Sequence, residues 1–158
     1  MNADHARDLG RLLRRQDVAA LATLHKGAPA VSMVPYAVLP DGSFVIHVSQ
    51  LATHTRDMQE HAAVGLLVLG ERAPDMLAQE QPRASVQGEA RQCLPDAPEY
   101  AAARQAYLAR FPDSEPMFGF GDFSLFVVAP RSVRFVAGFA QAFSLTAQAY
   151  RELMAAPD

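Results

Sequence analysis

The sequence contains no tryptophan and only one cysteine among its 158 residues. Without tryptophan, a flat ligand would have to stack on phenylalanine, tyrosine, methionine or the backbone. The single Cys93 excludes an internal disulfide and a cysteine-based metal cluster, so we expect an ordinary structural thiol at this position. These absences leave no metal site to predict.

Strong charge and long apolar runs are also missing. The formal net charge is −3, which gives no reason to expect a nucleic-acid surface. No stretch approaches the roughly 18 apolar residues of a membrane span, and charged residues interrupt the N-terminus where a signal peptide needs its apolar core. We therefore expect one cytoplasmic domain over residues 1–158, with no nucleic-acid or membrane partner.

Short apolar segments separated by turn signals dominate the first third of the chain. Val18–Leu24, Ala30–Val38 and Phe44–Val48 are typical of strands. His25-Lys26-Gly27 and Pro40-Asp41-Gly42 are turn sequences between them. Three strands joined by two short turns predict an antiparallel meander.

The remaining pattern predicts more strands, with helices at the edges. Further strands are predicted over Ala63–Leu69, Arg83–Cys93, Phe123–Ala129 and Ser132–Val136, the last two joined at Pro130-Arg131. Helices are predicted over Ala3–Arg15, His54–His61, Asp96–Arg110 and Thr146–Met154, with loops over 70–82 and 113–121. About seven closely spaced strands favour a mainly β fold, a small antiparallel barrel with peripheral helices.

The segment Ser49–Met58 is the strongest functional signal in the chain. It follows the predicted strand Phe44–Val48 and opens a helix, and free backbone N–H groups at a helix start favour an anion. Hydroxyls and one possible cation are present to bind a phosphate: Ser49, Thr53, Thr55 and His54.

Other polar residues give weaker signals. We expect His47 to lie on a barrel face, His5 and His25 to face solvent, and Asp57 with Glu60 to form a solvated helix face. The Phe118–Gly121 segment is either a loop that packs two aromatic rings or a lid over a ligand. No Ser/His/Asp arrangement and no carboxylate pair is defined by spacing, which suits a protein whose cofactor carries the chemistry.

Four passages, in this order and spacing, resemble the pyridoxamine 5′-phosphate oxidase-like split-barrel flavoproteins. Within that superfamily the chain is most similar to the branch of HugZ-type haem-degrading proteins. The resemblance covers roughly Leu12–Tyr150. The passages are Gly27–Ala37, Ser49–Asp57, Arg83–Ala90 and Val136–Ala142.

The resemblance implies a six- to seven-stranded antiparallel split barrel that forms a homodimer, with two FMN sites across the dimer interface. In such proteins one strand supports the flavin ring, while a strand end, a helix start and a residue on a later strand hold the phosphate. The implied cofactor-binding residues are Ser32, Met33, Val34 and Tyr36 at the ring, and Val48, Ser49, Thr53, His54, Thr55 and Arg83 at the phosphate.

Two departures from the family bear on the activity. The dense arginine and lysine set of the oxidase proper is absent, and no histidine follows His61 to serve as the tail haem ligand of the haem-degrading members. The resemblance implies an FMN-dependent oxidoreductase acting on an unassigned small-molecule substrate or electron acceptor. The alternatives are a HugZ-type haem-binding or haem-degrading protein and a non-catalytic flavin-binding protein.

Overall fold

The structure, a computed structural model, describes residues 1–156 and contains four helices and eight strands within them. The elements are, in order, α1 (Ala3–Arg15), β1 (Val18–His25), β2 (Ala28–Pro35), β3 (Ala37–Val38), β4 (Phe44–Ser49), α2 (Thr53–Glu60), β5 (Ala63–Leu69), β6 (Arg83–Cys93), α3 (Tyr100–Arg110), β7 (Phe123–Gly138), β8 (Gln141–Thr146) and α4 (Ala147–Ala155). Two 3-10 helices, Ala78–Glu80 and Pro112–Gly119, lie in segments predicted as loops.

The strands form one curled antiparallel sheet. Its order is β2-β1-β5-β6-β7-β4-β3, and β8 pairs with β7 beside this path. The helices lie at the periphery, which confirms the mainly β class and the split-barrel architecture predicted from the sequence. The structure has one strand more than expected, because β8 was not predicted.

Two open strand edges define the split in the barrel. Among the described residues β2 pairs only with β1, and β4 pairs with β3 only at Phe44 and Val45. Residues of β2 and β4 approach one another across this gap. Backbone groups on both edges are therefore free to meet a ligand, because no neighbouring strand uses them.

The core fills the barrel and the space beneath α1 and α4. Leu9 and Leu13 of α1 and Tyr150 of α4 are fully buried against the inward side chains of the strands. The α1 helix forms here because its apolar residues share one face and Asn2 caps its start by accepting from the His5 N–H at 2.9 Å. A second cluster, beneath α3, surrounds Tyr107.

The outward side of β2, β1 and β5 is apolar, and we call it the outer apolar face. Val31 and Met33 on the edge strand β2 are 75% and 64% exposed. Direct partners in an antiparallel register lie on the same face of a sheet, and these two pair with Ala22 and Ala20. The face consists of Val18, Ala20, Ala22, Leu24, Val31, Met33, Gly65, Leu67 and Leu69.

The predicted strands differ from the structure mainly at two places. The predicted strand Ala30–Val38 is broken at Tyr36, whose N–H donates to the Asp17 carbonyl at 3.0 Å instead of to a strand. The two strands predicted on either side of Pro130 are one strand, β7. The register against β6 shifts at Gln87/Gly88, and this bulge accommodates a proline that lacks an N–H.

None of the helices within residues 1–156 is both long and apolar enough to cross a bilayer.

Candidate functional site

The start of α2 has the open geometry that an anion site needs. Its cap residue, Ala52, makes no side-chain hydrogen bond, and the backbone N–H groups of Thr53 and His54 have no acceptor among residues 1–156. The Thr53 side chain is exposed beside them. Donors and the positive end of a short helix dipole thus converge on one point.

Two of the three predicted hydroxyls are already used by the protein itself. The Ser49 hydroxyl donates to the Asp122 carboxylate at 3.1 Å and accepts from the Leu51 N–H at 3.1 Å. The Thr55 hydroxyl is buried and donates to the Ser49 carbonyl at 2.6 Å. Asp122 also brings a carboxylate to the place where a phosphate was expected, and sequence spacing gave no sign of this.

His54 is a weaker cation than the sequence suggested. Burial lowers the pKa of its imidazole, and the negative charge of Asp57 opposes that shift only in part. At neutral pH the ring is therefore mostly neutral and acts as a hydrogen-bonding group more than as a charge.

The predicted ring-side residues lie along the split. Ser32 has a buried hydroxyl with no hydrogen-bond partner among the described residues. The Met33 side chain is exposed, whereas the side chains of Val34 and Val48 are buried in the core, so these two offer a ligand only their backbone. The structure thus brings Ser32–Val34 and Val48-Ser49 to the two open edges of the barrel.

Tyr36, which was expected at the flavin ring, does not lie at the open edges of the barrel. Its ring is fully buried in the core, and its hydroxyl donates to the Leu13 carbonyl at 2.9 Å. The Arg110 guanidinium lies 5.4 Å from the ring centroid. In this structure the ring and the hydroxyl of Tyr36 face the core and not the open edges, because the segment turns inward after Pro35.

Arg83 does not meet the start of α2 within one chain. It pairs with Val136 at one end of β7, whereas Ser49 pairs with Phe123 at the other end. At about 3.3 Å per residue the two positions are roughly 40 Å apart along the strand. The Arg83 side chain donates to the carbonyls of Gln79 and Gln81 at 3.1 and 2.9 Å.

A buried network on the other side of α2 was missed from the sequence. The Asp57 carboxylate, with its side chain only 4% exposed, accepts from Thr23 Oγ1 at 2.8 Å and lies 2.7 Å from Nδ1 of His25. The expectation of a solvated Asp57 was wrong, whereas the His25 side chain is 43% exposed and only its Nδ1 is turned to the carboxylate. No local sequence pattern indicates this contact, because it joins His25 in β1 to Asp57 in α2, 32 residues later in the chain.

The ionisation of Asp57 determines which groups donate and which accept in this network. Burial alone would raise the pKa of Asp57, but hydrogen bonds from His25 and Thr23 and the positive charges of His25 and His54 outweigh burial and hold the pKa below its usual value. The carboxylate is therefore ionised at neutral pH and can only accept. His25 therefore donates from Nδ1, and its Nε2 faces away from Asp57.

A groove of about 480 Å³ lies on the outward side of β1, β5 and β6 beside this network. Thr23 and Leu24, which directly precede His25, form part of its wall. The ion pair Arg131–Glu89 marks one rim. The remaining lining is small or apolar: Ala22, Pro29, Ala63, Val64, Gly65 and Gly88, with Gln87.

His47 belongs to a structural aromatic cluster. Its ring stacks on Phe118 with centroids 3.9 Å apart and planes at 7°, and burial lowers its pKa to about 4. The packing alternative for the Phe118–Gly121 segment holds for Phe118, while the Phe120 ring is more than half exposed. No group of three or more histidine, cysteine, aspartate or glutamate side chains within residues 1–156 is arranged to hold a metal ion.

Comparison with known proteins supplies the remaining information. Residues 7–137 match the family profile described as pyridoxamine 5′-phosphate oxidase. The non-canonical heme oxygenase HOZ, chloroplastic, of Arabidopsis thaliana is 38% identical over 119 residues, which are 75% of this chain and 35% of that protein. This chain thus spans about a third of the curated relative's length.

Two solved structures show the same fold. The heme binding protein from Mycobacterium smegmatis superposes with a TM-score of 0.85 at 27% identity, over 96% of this chain and 62% of that one. The heme storage protein HutZ from Vibrio cholerae superposes with a TM-score of 0.70 at 19% identity, over 78% of this chain and 88% of that one.

Proposed function

The chain belongs to the pyridoxamine 5′-phosphate oxidase family, and from this premise we propose that it is a haem-binding protein. The observation that carries the proposal is the similarity to two relatives whose names specify haem, at 38% and 27% identity. Flavin chemistry, which the sequence resemblance put first, becomes the second candidate.

The contacts at the start of α2 favour haem over FMN as the ligand. An FMN phosphate is mostly a dianion at neutral pH and needs several free donors and at least one cation. Here the Ser49 and Thr55 hydroxyls donate within the protein, and the Asp122 carboxylate would repel a phosphate. A site with little free positive charge suits a mainly apolar ligand better than a phosphate ester.

The groove on the outward side of β1, β5 and β6 offers mostly small and apolar walls to a ligand such as haem. Haem is a wide apolar ring with two carboxylates at one edge, and it supplies an iron that takes axial ligands from the protein. The groove has small and apolar walls that suit such a ring, and its rim carries the Arg131–Glu89 ion pair. Its volume of about 480 Å³ falls within the usual range for cofactor sites.

We further propose that the protein is a homodimer in which a second copy covers the outer apolar face. A monomer seldom exposes side chains such as Val31 and Met33 side by side on an unpaired edge strand. The groove opens on the same face, so a partner copy would bury a ring bound there. A second copy would also offer a route by which Arg83 could approach an α2 segment.

The test is a titration of the purified protein with ferric haem, followed by absorption and by stoichiometry. We expect a saturable Soret shift at one haem per chain, while iron-free protoporphyrin IX binds more weakly because it lacks the axial bond. Loss of the Soret band after a reductant is added in air would indicate degradation, and a stable band would indicate storage or transport. Absence of any saturable shift contradicts the proposal.

FMN remains a second candidate on one specific observation. The Ser32 hydroxyl has no hydrogen-bond partner among the described residues, and together with the open edges of β2 and β4 and the uncapped start of α2 it would suit a flavin rim and its phosphate. If FMN binds there, His54→Ala combined with Arg83→Ala lowers its affinity, by about 1.5–3 kcal/mol for each charged hydrogen bond lost. Quenching of flavin fluorescence measures this, and unchanged affinity removes the assigned phosphate site.

Turnover separates the two flavin alternatives. If bound FMN is reduced by NAD(P)H and reoxidised by oxygen, the protein is an FMN-dependent oxidoreductase. Stable binding without turnover makes it a non-catalytic flavin-binding protein.

A further inference from the structure

Three hydrogen-bond donors lie together where β4 ends, and the protein itself uses all of them. The Ser49 hydroxyl donates to Oδ2 of Asp122 at 3.1 Å, and the Gln50 N–H donates to the Asp122 carbonyl at 2.6 Å. The Leu51 N–H donates to the Ser49 hydroxyl at 3.1 Å. Asp122 alone therefore accepts two of the three donors that this strand end could offer to a bound anion.

The Asp122 side chain adds a negative charge that no side-chain cation neutralises. Within residues 1–156 its carboxylate forms no ion pair with an arginine, a lysine or a histidine. The residue that it contacts, Ser49, is also tied to the first turn of α2, because the Thr55 hydroxyl donates to the Ser49 carbonyl at 2.6 Å. The carboxylate thus lies beside the positive end of a helix, where anions are favoured.

We infer that Asp122 is a specificity-determining residue that excludes phosphate esters from the end of β4 and the start of α2. The chain closes this site with its own carboxylate, and removal of that one charge opens it to the phosphate of FMN. The inference goes beyond the haem function proposed above and does not require haem to bind.

The position of Asp122 is fixed by the elements on either side of it. Phe118, four residues earlier, stacks on His47 with ring centroids 3.9 Å apart. Phe123, the next residue, begins β7 and is the direct partner of Ser49 in the antiparallel register. The contact between Asp122 and Ser49 is therefore adjacent to a strand pair, and the carboxylate is held close to the strand end.

Two effects oppose a phosphate at this place. A dianionic phosphate would meet the negative charge of Asp122, and this repulsion is stronger in a partly buried position than in bulk water. The phosphate would also have to displace the carboxylate before it could accept the hydrogen of the Ser49 hydroxyl. Riboflavin carries the same ring system without a phosphate, so neither effect acts on it.

The experiment removes the charge and keeps the contacts. In Asp122→Asn the side-chain oxygen still accepts from Ser49, and the backbone carbonyl still accepts from Gln50. We expect this variant to bind FMN about tenfold more tightly than the wild type, while its affinity for riboflavin stays at the wild-type value. Quenching of flavin fluorescence measures both affinities. Asp122→Ser, a second variant without the charge, should show the same selective gain.

Two control variants separate the charge at this position from other effects. Asp113→Asn removes the same charge from an exposed residue of the preceding 3-10 helix and should leave both flavin affinities unchanged. Asp122→Glu keeps the charge and changes the length of the side chain, so it should bind FMN as weakly as the wild type does. A gain in FMN affinity in either control equal to that of Asp122→Asn would overturn the inference.

Three further results would overturn it. They are FMN binding by the wild type as tight as that of Asp122→Asn, an equal gain for riboflavin, and no measurable FMN binding by Asp122→Asn and Asp122→Ser. The haem titration is a separate readout. If the wild type shows no saturable haem binding but Asp122→Asn gains FMN affinity, the proposed function fails and the inference stands. If haem binds and Asp122→Asn gains no FMN affinity, the function stands and the inference fails.

Discussion

His25 Nδ1 lies 2.7 Å from Oδ1 of Asp57, and this contact ties the end of β1 to the middle of α2. The Thr23 hydroxyl donates to the other carboxylate oxygen at 2.8 Å, so each oxygen of Asp57 has a hydrogen-bond partner on the same strand. Helix α2 is therefore held by a buried polar contact on its inner face, while its first turn lacks a side-chain cap. This arrangement leaves the helix start open to a ligand without releasing the helix from the barrel.

Asp57→Asn should change how stability depends on acid. The pKa of Asp57 is lower in the folded protein than its ordinary value of 3.8. The ionised carboxylate therefore stabilises the fold at pH values above about 4, and this contribution is lost as the pH falls through the folded-state pKa. We expect the stability gap between wild type and variant to be constant from about pH 7 to 5 and to shrink toward pH 3.

Urea unfolding at several pH values measures this gap. Glu60→Gln is the control, because Glu60 is exposed on the same helix and should follow the wild-type pH dependence. A gap that stays constant down to pH 3 would contradict the role given to the Asp57 carboxylate.

His47→Phe should make the protein less sensitive to mild acid. Burial lowers the pKa of His47 from 6.5 to about 4, so below pH 6.5 the unfolded chain binds a proton that the folded protein does not. Stability is lost as the pH falls from 6.5 toward 4, up to a limit of about 3 kcal/mol at about 1.36 kcal/mol per pH unit. Phenylalanine preserves the ring stack on Phe118 without a titrating group.

The measurement compares the free energy of unfolding at pH 7 and at pH 4.5 for the wild type, for His47→Phe and for the exposed control His61→Phe. We expect only His47→Phe to lose a smaller fraction of its stability on acidification. Equal losses in all three would show that burial of His47 does not set the acid response.

Gly42→Ala should destabilise the protein more than Gly27→Ala does. Both glycines have positive φ, 84° and 79°, so each alanine incurs about 1–2 kcal/mol of left-handed strain. At Gly42 the new Cβ would also lie 2.5 Å from Cε1 of Tyr150, whereas at Gly27 nothing lies within 4 Å. Overpacking adds about 1–3 kcal/mol at Gly42 alone. Urea unfolding of the two variants tests this, and equal losses would contradict the close packing against Tyr150.

Met33→Glu should separate the proposed homodimer. Met33 is 64% exposed on the outer apolar face, and two copies meeting there would bury opposed carboxylates. We expect a monomer by light scattering at concentrations where the wild type is a dimer, with an unchanged far-ultraviolet spectrum. Gln105→Glu, on the exposed side of α3, is the control and should remain dimeric. A wild-type protein that is monomeric throughout would contradict the proposed dimer.

Local chemistry predicted most elements of this fold. The helix α1 begins and ends where expected, with Asn2 as its cap, and Thr146 caps α4 by accepting from the Ala149 N–H. Short apolar runs located β1, β4 and β5 to within one or two residues, and apolar alternation located β6. Strand β8 was missed because its residues are mostly exposed and only Phe143 and Leu145 alternate inward.

The site was less predictable, because its contacts join distant parts of the chain. The segment Ser49–Met58 was correctly identified as a strand end leading into a helix. Two contacts depend on how the barrel closes: Asp122 accepts from Ser49, and Asp57 turns inward toward His25. The spacing of residues in the sequence does not indicate either contact. The family resemblance placed Tyr36 at a ligand, although in this chain the ring completes the core beneath α1.

The most direct measurement is the absorption spectrum of the wild-type protein during a ferric haem titration, with a parallel FMN titration followed by flavin fluorescence. The account predicts a saturable Soret shift at one haem per chain, and weaker binding of FMN. Tight FMN binding with no saturable Soret change would contradict it and would return the protein to the flavin-dependent members of its family.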